Sequence, residues 1–413
     1  MDPLEFDDGI LLRLIECKNK SLLRSDSLQS DVCPVSGEKI AILLNGNLNH
    51  HHDIQALLLS LFPFIQRQSR VVAVIFNPYL RFLVRLANAL GIRKGEMPTT
   101  FLTKADLSSI AKISGYEVVR LRNAAFSPVR FLGLGTLLNR FLTAVPLLRW
   151  LSFANVVVMR PVKPDREPPS LSVVIPARNE AGNIENAVKR IPDLNCELEI
   201  IFVEGHSTDN TWQEIERVSN EYRNRFNIKC LHQDGKGKCN AVRAGFAAAS
   251  KDLLAVLDAD LTMPPEKLPY FYNAYRTGKA DFINGSRLLY PMQGQAMRTL
   301  NKIGNVFFAR LLSWIMGQRI TDSLCGTKLI RRDDYRRLCK WREDFGDFDP
   351  FGDFELLFFT ASTGLGIVDV PIRYMDREYG TTNISRFRHG YMLFKMVLIG
   401  FIKLKIGAGD VRH

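Results

Sequence analysis

Four stretches of this chain run apolar without alternation and then break off into polar or turn-forming residues: VVAVIFN (71–77), LSVVIPA (171–177), ELEIIFVE (197–204) and LLAVL (253–257). Such runs are strands buried on both faces. Between them, Ile184, Ala187, Val188 and Ile191 recur at helical spacing. Ser207 or Thr208 stands where a cap would open the next helix, and a helix of small residues over 238–250 follows the turn DGKGK. Strands alternating with helices predict an α/β fold with a mostly parallel sheet covered on both faces. In such sheets ligands bind outside the carboxyl ends of the strands.

The first part of the chain carries a different pattern. A helix is predicted over 103–114, with Thr103 as cap, Asp106 three residues on and Gly115 as its end. Two strand-like runs follow, YEVVRLR (116–122) and NVVVMRP (155–161), on either side of a basic, Leu-rich insertion. The segment RPVKPDREPPS (160–170) loses all periodicity and reads as a linker. The expected organisation is a first α/β domain at 1–160, a linker at 161–170, the parallel-sheet domain at 171–380 and a basic amphipathic segment at 381–413.

Composition narrows the partners. At 413 residues the chain exceeds one ordinary core, and its formal net charge of +12 implies an anionic partner. No basic groove motif with interleaved aromatics is present, so nucleic acid is not expected. Seven scattered cysteines without a C-x-x-C pair point to a reducing, cytoplasmic setting. The segment MDPLEFDDG is acidic where a signal peptide would be basic, and no uncharged apolar run is long enough to span a bilayer.

Two segments still have membrane-like patterning. MRTLNKIGNVFFARLLSWIMGQR (297–319) places Leu300, Ile303, Phe307, Leu311 and Trp314 on one face, with Arg298, Lys302 and Arg310 elsewhere. RFRHGYMLFKMVLIGFIKLKIG brackets apolar residues with Arg386, Arg388, Lys403 and Lys405. They read either as interfacial helices on an anionic membrane surface or as a pair packed together in a soluble core.

The chemistry begins at Asp258-Ala259-Asp260. Two carboxylates at one strand end repel each other unless a positive charge lies between them, which suggests a hard divalent cation, Mg2+ or Mn2+. Asn179 and Glu180 end the first strand of this domain, and Glu204 and Ser207 end the second. Three polar strand ends side by side fit a nucleotide diphosphate, with carboxylates for base and ribose and a metal bridging to the pyrophosphate. His50, His51 and His52 are no metal cluster, because three consecutive side chains cannot point one way.

Over about 171–406 these motifs resemble, in order, the inverting family 2 glycosyltransferases of GT-A fold, nearest to dolichyl-phosphate mannose synthases and other polyprenyl-phosphate sugar transferases. VIPARNE is similar to the opening that cradles the nucleotide, which implies Pro176, Ala177, Asn179 and Glu180 there. VEGHSTDNT stands where the family has V-D-D-G-S-x-D-x-T, so Glu204 matches the first aspartate, with Ser207 beyond it, while Gly205-His206 depart from the pattern. DADLTMPPE resembles the metal segment and implies Asp258, Ala259 and Asp260 at nucleotide and cation, with Thr262 at a position that holds a ligand in some members. INGSR supplies Gly285, Ser286 and Arg287. DSLCGTKLIRR matches the acceptor-side segment from Asp322, and FGDFELL the helix carrying Asp353 and Glu355. DREYGTTNI keeps Arg377 and Gly380 and has Asn383 in place of a lysine.

The resemblance implies a single displacement at an anomeric carbon, with Asp260 and Asp258 holding the cation. A polyprenyl phosphate acceptor is already an anion and needs no strong base. Arg287, Arg331 and Arg377 are then the candidates for phosphate contacts. A hydroxyl acceptor, as in polysaccharide or cell-envelope synthesis, needs a base, and Asp322 or Asp353 is the candidate. A catalytically inactive membrane scaffold is the other reading. The implied site is peripheral, at the cytoplasmic face of the membrane. Before residue 160, the helix followed by a strand pair and LNGNLNHHHDIQALL (44–58) resemble the carboxyl-terminal half of class I S-adenosylmethionine-dependent methyltransferases. No D-x-G-x-G turn precedes residue 40, so this cofactor is not expected and the segment is a partial domain.

Overall fold

Several strands of the molecule are buried along their whole length. The computed structural model describes residues 40–91, 97–124, 142, 145, 148–291, 299–345, 352–377, 379 and 386–406. It divides into two units, one made of Met1–Lys163 with Ala361–Gly366 and Phe401–His413, the other of Pro164–Thr360 with Ile367–Gly400.

In the first unit, β1 (Ala41–Asn45) is followed by helix α1 (Ile54–Leu61), β2 (Arg70–Phe76), α2 (Arg81–Ala89), α3 (Lys104–Ile113), β3 (Tyr116–Ala124) and β4 (Ala154–Pro161). The sheet order is β1-β2-β4-β3. β1 and β2 are parallel, and β4 runs antiparallel to both of its neighbours. Thr103 and Asp106 form the reciprocal capping box on α3, and Gly115 ends it at φ +81°. Residues 361–366 join this unit through backbone carbonyls: Arg70 Nε donates to Gly364 O at 2.8 Å, and an Arg120 guanidinium nitrogen to Ser362 O at 3.2 Å. Arg160 and Pro161 belong to β4 and not to the linker, because Arg160 is fully buried and bonds Glu117 at 2.7 Å. His50 closes a four-residue helical turn (Asn47–His50) while His51 and His52 are exposed, so the three imidazoles do not converge.

The second unit strings β5 (Leu171–Ala177), α4 (Ile184–Lys189), β6 (Leu198–Glu204), α5 (Thr211–Tyr222), β7 (Asn227–His232), α6 (Gly237–Ala248), β8 (Leu253–Val256), α7 (Leu268–Arg276), β9 (Phe282–Ser286), α8 (Thr299–Met316), β10 (Lys328–Arg331), α9 (Arg332–Phe345), α10 (Gly352–Ser362), β11 (Ile367–Pro371) and α11 (Arg386–Gly400). Its sheet order is β11-β9-β10-β8-β5-β6-β7. All neighbours are parallel except β10, which runs against both β8 and β9. The core is formed by β5, β6, β8 and the inward faces of α4, α5 and α7.

Each of the two amphipathic helices has one buried and one exposed apolar side. On α8 the buried residues are Asn305, Ala309, Leu312, Ile315 and Met316, and the stripe with Ile303 and Phe307 faces outward. On α11, Leu393, Met396 and Val397 are buried while Tyr391, Phe394 and Leu398 are exposed. Leu300 and Arg386 lie in these helices, but their side chains lie outside the described residues.

One polar seam sets the register of the parallel strands at their amino ends. Glu199 on β6 is fully buried and accepts hydrogen bonds from Ser172 Oγ on β5 (2.6 Å), Ser250 N (2.6 Å) and Ser250 Oγ (3.0 Å), and pairs with Lys229 on β7 at 2.9 Å. Burial favours its neutral form, but these donors outweigh burial and pull the carboxyl down to about 2. A depressed folded-state value stabilises the fold above the unfolded value and loses that contribution as pH falls through the folded one. Glu199→Gln is therefore expected to lower the urea midpoint at neutral pH. It should also flatten the loss of stability between the ordinary 4.5 and about 2; a variant whose acid limb matches the parent would refute the seam.

Candidate active site at the sheet's carboxyl ends

The register brings the polar strand ends together. Ala177 at the end of β5 lies opposite Glu204 at the end of β6, and Val174 opposite Val256 on β8. Each loop that follows bends sharply. Asn179 (φ +55°), His206 (φ +57°) and Leu261 (φ +56°) are non-glycine residues in the left-handed region, a conformation costing roughly 1–3 kcal/mol each. The Asn179 bend has a use: Oδ1 accepts from Thr208 N at 2.8 Å, and its own N–H donates to Ser207 Oγ at 3.0 Å. The β5 and β6 loops are thus tied into one rim, with Gly205 N bonded to Ala177 O at 2.9 Å. Pro176 is half-buried in β5.

Ser207 and Thr208 do not cap α5. That helix starts at Thr211, whose amide and hydroxyl both donate to Asp209, while Ser207 N donates to Glu204 Oε1 at 2.5 Å. Burial raises Glu204, but the bonds from Ser207 and His232 prevail and hold its carboxyl low. His232 Nδ1 lies 3.0 Å from Glu204 Oε2, and its ring stacks on Trp212 at 3.7 Å. Glu204 is therefore an anion on a fixed mount.

The aspartates carry one side-chain cation each. Lys238 Nζ contacts Asp258 Oδ1, and Arg377 donates to Asp260 Oδ2 at 2.5 Å while standing 3.7 Å from Glu180. Burial disfavours the Lys238 ammonium, yet Asp258, Asp353 and Asp260 outweigh it and raise its pKa. Burial raises Glu180, as do Asp260 and Asp258 to a lesser degree; Asn183 and Arg377 oppose the shift. A Cβ at Gly326 would meet the Asp258 carboxylate and the Lys238 ammonium, so a larger residue there would displace this pair. Ala259 points into the core at 2% exposure, so it shapes the loop by packing and offers no side chain to a ligand. Thr262 gives its hydroxyl (2.7 Å) and its amide (3.1 Å) to Asp260 Oδ1, so it positions the carboxylate and is not itself aimed outward as a ligand.

The acceptor-side residues divide sharply. Asp322 is wholly buried and accepts from Arg287 Nε (2.7 Å), a second Arg287 guanidinium nitrogen (2.9 Å), Arg287 N (3.1 Å), Asn305 Nδ2 (2.8 Å) and Leu324 N (3.0 Å). Burial would raise it, but Arg287 dominates and pushes it down to about 2. A carboxylate so occupied is a positioning residue for Arg287 and not a base. Arg331 is at the wrong end of the sheet: β10 runs antiparallel, which pairs Arg331 with Leu253 at the start of β8. Glu355 turns to Arg243 (2.5 Å) and Arg342 (2.5 Å), away from any acceptor role.

Asp353 does reach the site. Its partner Lys328, 3.3 Å away, is 1% exposed and also donates to Asn284 Oδ1 at 3.0 Å. Gly285 and Ser286 follow Asn284 on β9, where Ser286 Oγ accepts from Thr321 at 2.7 Å. Gly380 and Asn383 lie outside the described residues. Sequence reading missed Lys238 and Lys328: each sits in a short basic turn or strand with no spacing signal. If Asp322 only positions Arg287, Asp322→Asn strands a buried guanidinium and costs about 3–5 kcal/mol in urea unfolding. The activity left should keep the parental pH profile. Loss of an acidic limb in that profile would restore Asp322 as a base.

The resemblance to known proteins includes the second unit. Residues 172–339 match the family model Glycosyl transferase family 2. The chain is 30% identical over 231 residues to dolichyl-phosphate hexose transferase of Haloferax volcanii, covering 55% of this chain and 92% of that one. It is 37% identical over 241 residues to dolichol-phosphate mannosyltransferase of Pyrococcus furiosus, covering 54% and 64% respectively. Among solved structures, glucosyl-3-phosphoglycerate synthase from Mycobacterium tuberculosis matches at 18% identity and a TM-score of 0.41, covering 57% of this chain and 80% of that one. By that family match and by its 30% identity to a relative covered over 92% of its length, the chain belongs to glycosyl transferase family 2 and is a glycosyltransferase.

Proposed function

We propose that the second unit moves a sugar from a nucleoside diphosphate sugar to a polyprenyl phosphate at the cytoplasmic face of a membrane, with inversion at the anomeric carbon. The carrying observation is the cluster at the sheet's carboxyl ends, in which Glu180, Asp258, Asp260 and Asp353 alternate with Lys238, Lys328 and Arg377. The two relatives above bear names that specify dolichyl phosphate, and a further relative is an undecaprenyl-phosphate mannosyltransferase of Micrococcus luteus, 27% identical over 224 residues.

The donor set also fits a divalent cation. Among the described residues no group of three His, Cys, Asp or Glu side chains could cage one. Mg2+ at phosphate sites characteristically takes one or two carboxylates and completes its shell with substrate phosphates and water. Asp258 and Asp260 supply that pair and would hold the ion, which when bound stabilises charge on the departing diphosphate. The chain's own residues do the rest. Glu204, locked by Ser207 and His232, is placed to accept from a base or ribose, and Arg377, standing between Asp260 and Glu180, is placed for the pyrophosphate.

An acceptor phosphate oxygen is already anionic, so it attacks the anomeric carbon directly. The bond from that carbon to the diphosphate oxygen breaks, and no proton need move. Lys238 feels Asp258 on the donor side and Asp353 on the other, which makes it the cation nearest both reactants. A hydroxyl acceptor would instead need Asp353 as base, since Asp322 is committed to Arg287.

The outward stripes of α8 and α11, Ile303 and Phe307 on one and Tyr391, Phe394 and Leu398 on the other, support the membrane placement. Among the described residues no helix is long and apolar enough to cross a membrane.

Transfer of labelled sugar from a panel of nucleotide sugars to polyprenyl phosphate, with and without Mg2+ or Mn2+, tests the reading. Asp260→Ala is expected to cut turnover by about 100-fold or more and to weaken nucleotide diphosphate binding in the presence of the ion. No turnover with any donor, together with unchanged nucleotide binding in Asp260→Ala, would overturn it.

A further inference from the structure

The first unit presents a surface that its own core does not explain. Helix α2 turns Leu80, just before it, and Val84 inward, both buried. On the other side Tyr79, Phe82, Leu86 and Leu90, spaced three or four residues apart, are 70%, 64%, 53% and 64% exposed. That spacing makes a single stripe along the helix, running from the turn before it to the residue that ends it. Scattered exposed leucines are ordinary, but four large apolar residues in one line are a contact surface.

The flanks of the stripe identify its partner. Arg81 and Arg85 are exposed beside it, with the Arg81 guanidinium over the Phe101 ring at 5.3 Å, and α2 has no acidic residue. A protein partner would be matched by charges of both signs around an apolar centre. An apolar stripe edged by arginines alone is the pattern that lies in the headgroup layer of an anionic bilayer, the rings and leucines below it and the guanidinium groups at the phosphates.

We propose that α2 is a membrane-docking element of the first unit, taking an anionic lipid surface through Tyr79, Phe82, Leu86 and Leu90 with Arg81 and Arg85 at the phosphates. This assigns a role to a unit that the glycosyl-transfer reading leaves idle, and it stands whether or not that reading holds. It requires no cofactor in the first unit. It also differs from the outward stripes of α8 and α11, which belong to the second unit.

Because those helices also carry apolar residues, the deciding readout is local. Hydrogen exchange of the full chain is followed with phosphatidylcholine vesicles with and without about 30% phosphatidylglycerol. The expected result is slowed exchange across Arg81–Ala89 on the anionic vesicles only. The triple variant Phe82→Ser, Leu86→Ser, Leu90→Ser should lose about tenfold or more of vesicle partitioning, with its unfolding midpoint unchanged because all three side chains are exposed. Arg81→Gln with Arg85→Gln should remove the preference for anionic lipid and reduce the salt sensitivity of binding. Three results would overturn the proposal: exchange in α2 that vesicles do not slow, partitioning unchanged in the triple variant, or slowing that appears without lipid and grows with protein concentration, which would mean that a second copy covers the stripe.

Discussion

Carboxylates gathered at one end of a sheet repel one another, and the second unit exists in its present form because that repulsion is cancelled inside the protein. Asp258 has Lys238, Asp260 and Glu180 share Arg377, and Asp353 has Lys328. Each cation comes from a different part of the chain: Lys238 from the turn into α6, Lys328 from the antiparallel strand β10, and Arg377 from the segment after β11. The charge balance therefore depends on the whole sheet being assembled, and the strained backbone at Asn179, His206 and Leu261 is held by the same loops. A buried pair broken on one side is far more costly than a pair never made. The arrangement is thus brittle toward single changes at its buried members.

The opposite end of the sheet carries the mechanical counterpart. Glu199 ties β5, β6, β7 and the approach to β8 through serines and Lys229, with no access to solvent. One end of the sheet uses a neutralised carboxylate to fix register; the other end uses that register to bring the loops together. Since side chains alternate along a strand, a one-residue slip would turn the functional ends to the wrong face.

How far these features were legible follows from the kind of signal each leaves. The buried parallel strands were plain because a strand covered on both faces is apolar throughout, as in ILE-rich β6 and in β8. Their polar ends were plain for the same reason, by contrast. Thr103 and Asp106 announced their helix because a capping box is local in sequence. Direction was not local: β10 looks like any short apolar strand, yet it runs backwards, and so Arg331 falls at the far end from Asp258 while Lys328 falls beside it. The roles of Asp322 and Thr262 were hidden because a motif gives residue types and not hydrogen-bond partners. Which apolar side of α8 turns inward was not legible, because both sides of that helix are apolar and only packing decides between them.

The acceptor side shows how such non-local partners build a site. Asn284 on β9 is fully buried and gives its amide to Asp369 Oδ1 (2.7 Å) and to the Asp322 carbonyl (2.8 Å), while its own carbonyl receives Lys328. One neutral amide therefore couples the Lys328–Asp353 pair to the backbone of the residue that holds Arg287. Burial raises Asp369, and Asp322 adds to that rise, whereas the bonds from Asn284 and Thr321 oppose it. Asp322 is held anionic by Arg287 while Asp369 is shifted toward its neutral form, so the network avoids two full negative charges side by side.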